Sequence, residues 1–251
     1  MDFFIGRMLI MTTKKNFLER GNDDFPFYQD ASSPLNFKGM LIIILSSLIG
    51  FMLFTTTNIP FIAPFLNVIF PLGAFIFVTK NQWTKIFRKL VPNDGLVIIG
   101  TLVANIVITF MIGLLVTTIT GTGDANPAST QFDGNFSHAV PFFLKTIPML
   151  FGEELLTILP FLIILKLGVQ QFNLSRKSSL LLAWLLTSLI FASLHFPTYN
   201  WNILQTVLTI GTARLILTFS YIKTKNIWVS FIVHLLNDWV LFGLAFLAST
   251  R

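Results

Sequence analysis

The chain has 251 residues, of which 54% are hydrophobic and 11% charged. That is less than half the roughly 25% charged content of a soluble globular domain, so the composition excludes a soluble particle and predicts an all-α, polytopic transmembrane bundle. The formal charge of +6 falls in short connections between apolar runs, where the positive-inside rule accounts for it and nucleic acid is excluded as a partner. The absence of cysteine rules out disulfides, thiolate catalysis and thiolate metal ligation.

Residues 1–38 mix Arg7, Lys14, Lys15, Arg20 and Lys38 with Asp2, Glu19, Asp23, Asp24 and Asp30 and are expected to form a cytoplasmic tail. The apolar patch Phe3–Met11 is interrupted by Arg7 and lacks a small-residue cleavage site, so it does not resemble a signal peptide. It reads as a loose tail, with a short helix on the membrane surface as the alternative. Residues 39–248 form the transmembrane domain. Apolar runs long enough to cross the hydrocarbon core are expected at about 39–57, 60–79, 96–119, 140–165, 178–196, 201–222 and 227–248, and an eighth span would need a split that the sequence does not show. Pro60, Pro64 and Pro71 should bend or break the second, and Pro141, Pro148 and Pro160 the fourth.

The basic residues alternate with this map. The tail, Lys80 to Lys89, Lys166 to Lys177 and Lys223 to Lys225 carry them, whereas the connections after the first, third and fifth spans carry none. This places the N-terminus of a multi-pass membrane protein in the cytoplasm, with membrane lipid around it and Arg251 outside. The loop Thr120–His138 is then extracytoplasmic. Oligomeric state is not legible.

Glu153 and Glu154 stand side by side in the apolar stretch Phe151 to Pro160. A carboxylate near the bilayer centre costs about 2.5–3.5 kcal/mol by insertion scales, so two adjacent ones need partners or a task. The other ionisable residues in the spans are Lys145, His195, Arg214, His234 and Asp238. Lys145 is placed to snorkel outward. His234 and Asp238, four apart, share a helix face, and Phe191 and His195 do the same on another span. Acid and imidazole from three spans meeting in a dry cavity would suit general-base activation of water. The zinc signature His-Glu-x-x-His and the Gly-x-Ser-x-Gly turn are absent. Ser193 points away from the face of His195, and Gly121-x-Gly123-Asp124 matches an aspartyl-protease pattern only by chance, in a polar loop.

In that order and on separate spans, Glu153-Glu154, Phe191-x-x-x-His195 and His234-x-x-x-Asp238 resemble the three motifs of the CAAX-protease and bacteriocin-processing (CPBP/Abi) family of intramembrane endopeptidases. The resemblance covers about residues 145–240, the expected catalytic core. It implies Glu153 and His195 as activators of water, His234 and Asp238 as holders of the oxyanion or of the water, Glu154 as a supporting group, and a membrane-associated peptide or protein as substrate in a bacterial plasma membrane. Prenylated proteins, leader peptides, bacteriocins and signalling peptides all fit.

Two positions depart from the family. The arginine usual five residues after the first glutamate is Ile158 here, and Arg214 from the sixth span is expected to take its place beside Glu154. Asp238 stands where asparagine is common. An ionised aspartate cannot donate to an oxyanion, so it must be protonated, bind metal or orient His234; Asn237 is adjacent but about 100° around the helix. Counted along the spans, His195 and His234 sit at depths about 15 Å apart, so convergence requires a deeper fifth span or strong tilt. Metal-independent hydrolysis with no cofactor is the first reading. Three alternatives stand beside it: Glu153, His195, His234 and Asp238 as zinc ligands, an inactive relative acting as scaffold or bacteriocin-immunity protein, and a transporter.

Overall fold

The computed structural model describes residues 19, 23–29, 33–59, 61–121, 123–124 and 126–250; the patch Phe3–Met11, Pro60 and Arg251 lie outside the described residues. Seven helical segments are long and apolar enough to cross a membrane. They are α1 (Phe37–Thr56), α2 (Ala63–Thr79, prolonged to Ile86 by a 3-10 segment), α3 (Pro92–Thr120), α4 (Phe136–Gln170), α5 (Arg176–Leu194), Ile203–Thr224, and α8 (Ile227–Ser249). The sixth is composite: α6 (Ile203–Thr206), one π-helical turn (Val207–Gly211) and α7 (Thr212–Thr224).

Local chemistry sets the ends. Asn36, Asn135, Ser175, Asn202 and Asn226 each cap a helix by accepting a backbone N–H two or three residues on, satisfying donors that the first turn leaves unpaired. Pro64 and Pro92 occupy first-turn positions of α2 and α3, where proline's missing N–H costs nothing. Pro71 and the three prolines of α4 lie inside their helices without interrupting them. α4 packs against α2, α5 and α8, and that enclosure holds the helix through its prolines.

The expectation of a loose tail fails for its described part. Phe25, Phe27, Tyr28 and Leu35 are buried in one cluster with Phe75, Leu155, Ile158, Phe161, Tyr221 and Ile227. Arg176 grips Glu19 with both terminal nitrogens, at 2.7 and 2.6 Å, and Asp24 at 2.6 Å. Lys225 Nζ lies 3.0 Å from Glu19 Oε2, both side chains fully buried. Residues 23–29 therefore form a strap across the basic face of the bundle. Burial raises the Glu19 carboxyl, but hydrogen bonds and charge from Arg176 and Lys225 outweigh it and hold it below its ordinary value. Asp24 is likewise lowered, burial being overcome by Arg176, Tyr28 and the Phe25 N–H. Groups with depressed folded values stabilise above the ordinary carboxylate range and lose that contribution as pH falls through the folded values. Hydrogen exchange at residues 25–28, corrected for intrinsic rates, is thus expected to show protection at neutral pH that is lost as pH falls below the ordinary carboxylate range; protection unchanged by acid would mean that the ion pairs do not hold the strap.

The strap also explains how the depths reconcile. Phe161, mid-way along the second half of α4, packs on Tyr221 near the end of α7 at 5.8 Å between centroids. α7 therefore stops roughly 9 Å short of the level at which α4 ends. The α7–α8 turn is recessed, with Lys225 and Asn226 buried, and Phe25 and the backbone of Arg88 cover it. α8 starts deep, which carries His234 to the level of the α4 carboxylates. Gly168 of α4 abuts Ser179 of α5. Glu153 and His195 lie almost the same distance along their helices from that contact, about 23 Å, so they too are level.

Candidate active site

Adjacent residues on a helix point about 100° apart, and Glu153 and Glu154 consequently meet different surroundings. Glu154 is fully enclosed. Its Oε1 lies 2.7 Å from Arg214 Nη2 and 2.9 Å from His234 Nδ1, and its Oε2 accepts from Ser230 Oγ. Arg214 is fully buried, donates from Nε to Thr218 Oγ1 at 3.1 Å, and lies 5.0 Å from the ring centre of Phe191. The guanidinium expected from the sixth span is thus the counter-ion of Glu154, while Ile158 is part of the apolar core.

Glu153 faces the opposite environment. Among the described residues its carboxylate accepts no hydrogen bond, and its side chain keeps 13% exposure. His234 Nε2 stands 3.7 Å away, and His195, His234, Asp238 and Arg214 all act on it electrostatically, with His195 foremost. His195 forms the C-cap of α5, and its Nδ1 lies 2.9 Å from the Phe191 carbonyl. A carbonyl can only accept, so Nδ1 carries the hydrogen and Nε2 keeps the lone pair in the neutral ring. The Phe191 ring sits 4.6 Å from the His195 ring and 6.4 Å from that of His234, bridging the two.

Asp238 Oδ1 is 3.9 Å from His234 Nε2 and accepts from Asn237 Nδ2 at 3.0 Å. Asn237 Oδ1 in turn accepts from buried Asn105 of α3. His234 therefore has an acceptor at Nδ1 and two carboxylates near Nε2.

Four contributors were missed in the sequence. Asn105 and Ser230 are ordinary polar residues of apolar spans, and nothing in their spacing marks them. Tyr199, in the 3-10 turn Pro197–Tyr199, is buried beside the site. Burial, with Asp238 and Glu153 nearby, pushes its phenol up to about 12, and its hydroxyl lies against Asn126 of the α3–α4 connection; it is an O–H donor at any physiological pH. Asn67 of α2 is fully buried against Gly152, with neither amide atom paired among the described residues.

A Cβ at residue 152 would come within 2.5–2.8 Å of Asn67, backbone oxygen included. Gly152→Ala must push α2 from α4 beside Glu153, and overpacking of this kind costs about 1–3 kcal/mol. A lowered Tm in detergent together with reduced turnover is expected; an unchanged Tm would show that the contact yields freely.

The remaining candidates fall elsewhere. Lys145 reaches Gln131 and the face of Phe142, Ser193 bonds the Ile190 carbonyl, and Asp124 is held by Asn200, Asn202 and Gln205. A cleft of about 320 Å³ between α3 and the π-helical turn, lined by Phe110, Leu114, Asp124, Gln205 and Thr209, includes none of Glu153, Glu154, His195, His234 and Asp238. Among the described residues no three His, Asp or Glu side chains are grouped to hold a metal ion.

No curated protein and no solved structure matches the chain. The family model described as Type II CAAX prenyl endopeptidase Rce1-like matches residues 136–240, from the start of α4 into α8, the stretch that contains Glu153, His195, Arg214, His234 and Asp238. Over this region the chain is similar to the Rce1-like family of CAAX-type endopeptidases, which is the CPBP family.

Proposed function

We propose that the protein hydrolyses a peptide bond of a membrane-associated protein or peptide with water activated by Glu153 and His195, without a metal. The observation that carries this is the division of labour between the two glutamates. Arg214, His234 and Ser230 occupy Glu154, while the Glu153 carboxylate accepts no hydrogen bond among the described residues and feels the charge of His195. A water between the Glu153 carboxylate and His195 Nε2 gives a proton to Glu153 as its oxygen attacks the carbonyl carbon. His234 Nε2–H, held by Glu154 behind it and Asp238 beside it, and the Tyr199 hydroxyl donate to the developing oxyanion. The proton then passes to the departing amine as the C–N bond breaks. The Lys and Arg distribution supports a plasma-membrane orientation with the strap and basic connections in the cytoplasm.

The missing family arginine and the aspartate of the last motif were the reasons to consider an inactive scaffold or immunity protein, and Arg214 at 2.7 Å from Glu154 supports the active reading on the first of them. The test is cleavage of membrane-peptide reporters by the protein in liposomes before and after exhaustive chelation. Undiminished cleavage is expected. Loss restored by added zinc would replace the water mechanism by a metal one built on Glu153, His195, His234 and Asp238.

A further inference from the structure

We infer that Asn105 of α3 is a positioning residue of the reaction: through the Asn237 amide it sets the Asp238 carboxylate beside His234 Nε2. This rests on the hydrolytic reading above, in which Asp238 helps to hold that imidazole. The side chains form one line of donors. Asn105 Nδ2 donates to Asn237 Oδ1 at 2.8 Å, Asn237 Nδ2 donates to Asp238 Oδ1 at 3.0 Å, and the same Asp238 oxygen lies 3.9 Å from His234 Nε2. Asn105 and Asn237 are 1% and 6% exposed, whereas the Asp238 side chain keeps 21%. The line therefore runs from the packed seam between α3 and α8 to the more open side of the site.

An amide carries a donor at one corner and an acceptor at the other, so what meets one end decides what the other end offers. An ionised Asp238 only accepts, and Asn237 must turn its NH2 toward it, which leaves Asn237 Oδ1 facing α3. An apolar group on α3 would leave that buried oxygen unpaired, and a second acceptor would repel it. Asn105 supplies the donor that is needed there. With Asn237 alone turned the other way, two oxygens would oppose each other at Asp238 and two NH2 groups at Asn105. The donor from α3 thus holds Asn237 in the direction that serves Asp238.

Packing alone does not account for an amide at position 105. Its Oδ1 is buried and accepts nothing among the described residues, and among them its side chain donates to Asn237 and to no other group. A buried acceptor left unpaired is destabilising, and an apolar side chain of the same shape would avoid it. Hydrogen bonds between membrane helices, moreover, contribute little to stability on average. Asn105 also lies before the stretch 136–240 that the family model matches, so the match assigns it no part in the site.

The test is a cycle of Asn105→Leu, Asp238→Ala and the two together, read in kcat, KM and Tm on the full chain in detergent with a membrane-peptide reporter. Asn105→Leu is expected to lower kcat about tenfold, the size of one net hydrogen bond expressed as a rate, with KM unchanged. Once Asp238→Ala is in place it should have no further effect. A residue that merely packs α3 on α8 would slow both backgrounds by the same factor, and that result overturns the inference, as does a parental kcat in Asn105→Leu. Should Asn105→Leu fail to accumulate, Asn237→Leu breaks the line one link nearer the site, and the same two outcomes decide. An arm independent of turnover follows the infrared carboxylate band of Asp238, identified as the band lost in Asp238→Asn. The band is expected to shift in Asn105→Leu, and an unmoved band overturns the inference. A shifted band in a preparation whose parent cleaves no reporter supports the placement of Asp238 by Asn105 and strikes the hydrolytic reading instead.

Discussion

Glu153→Gln is expected to lower kcat by about 10²–10⁴-fold, the usual contribution of a positioned general base, with KM and thermal stability nearly unchanged. The amide fills the same space, and no protein hydrogen bond is lost, because among the described residues none is made to that carboxylate. A reaction whose base is removed loses an interaction present only in the transition state, so kcat and kcat/KM should fall together. Steady-state cleavage of a reporter peptide, beside Tm in the same detergent, checks both halves. A variant with full kcat would mean that Glu153 plays no part in proton transfer, and one that fails to accumulate would mean that the carboxylate is structural.

The second large effect is the opposite in kind. Arg214 and Glu154 face each other at 2.7 Å with no exposed side-chain surface on either, and removing one partner leaves the other charged and buried. Losses of about 3–5 kcal/mol are typical of that change. Arg214→Leu should therefore drop Tm sharply and impair insertion, and Glu154→Gln should do much the same. Paired removal in Arg214→Leu with Glu154→Gln is expected to recover part of the stability, since no buried charge then lacks a partner. The double variant should nevertheless remain slow, because His234 loses the carboxylate that fixes its Nδ1. Additive losses in the double variant would show that the two residues do not act as a pair.

These two neighbours, one residue apart, are thus expected to fail by different physics, a contrast that residue types and spacing did not reveal and only the family resemblance implied. Glu153-Glu154 announced a site because two acids in an apolar helix demand partners, and Arg214 was nameable as one of them because so few cations lie in the spans. The seven spans were legible for the same reason: long apolar runs and the alternation of basic connections are one-dimensional signals. The strap was not. Phe25, Phe27 and Tyr28 sit in a polar segment whose composition reads as solvated, and only the meeting of Glu19 with Arg176 and Lys225, far away in the chain, buries them. The recessed α7–α8 turn escaped with it, which is why counting residues from the presumed membrane surface misplaced His234 relative to His195. Asn105 and Asn67 were missed because a polar residue in an apolar helix has no periodic signature that separates a site-facing position from a packing one, and Tyr199 because it lies in a short turn between spans. Ile158 shows the converse: the position of a motif residue can be emptied while its charge is supplied from another helix.

The account stands or falls on whether Glu153 and His195 work on one water. A double-mutant cycle in kcat measures this directly, using Glu153→Gln, His195→Gln and the pair together, each checked for unchanged Tm. Residues that form one proton-transfer unit are strongly non-additive. The double variant is expected to be no slower than the more damaged single one. Losses that multiply would contradict the account, since they would make the carboxylate and the imidazole independent contributors.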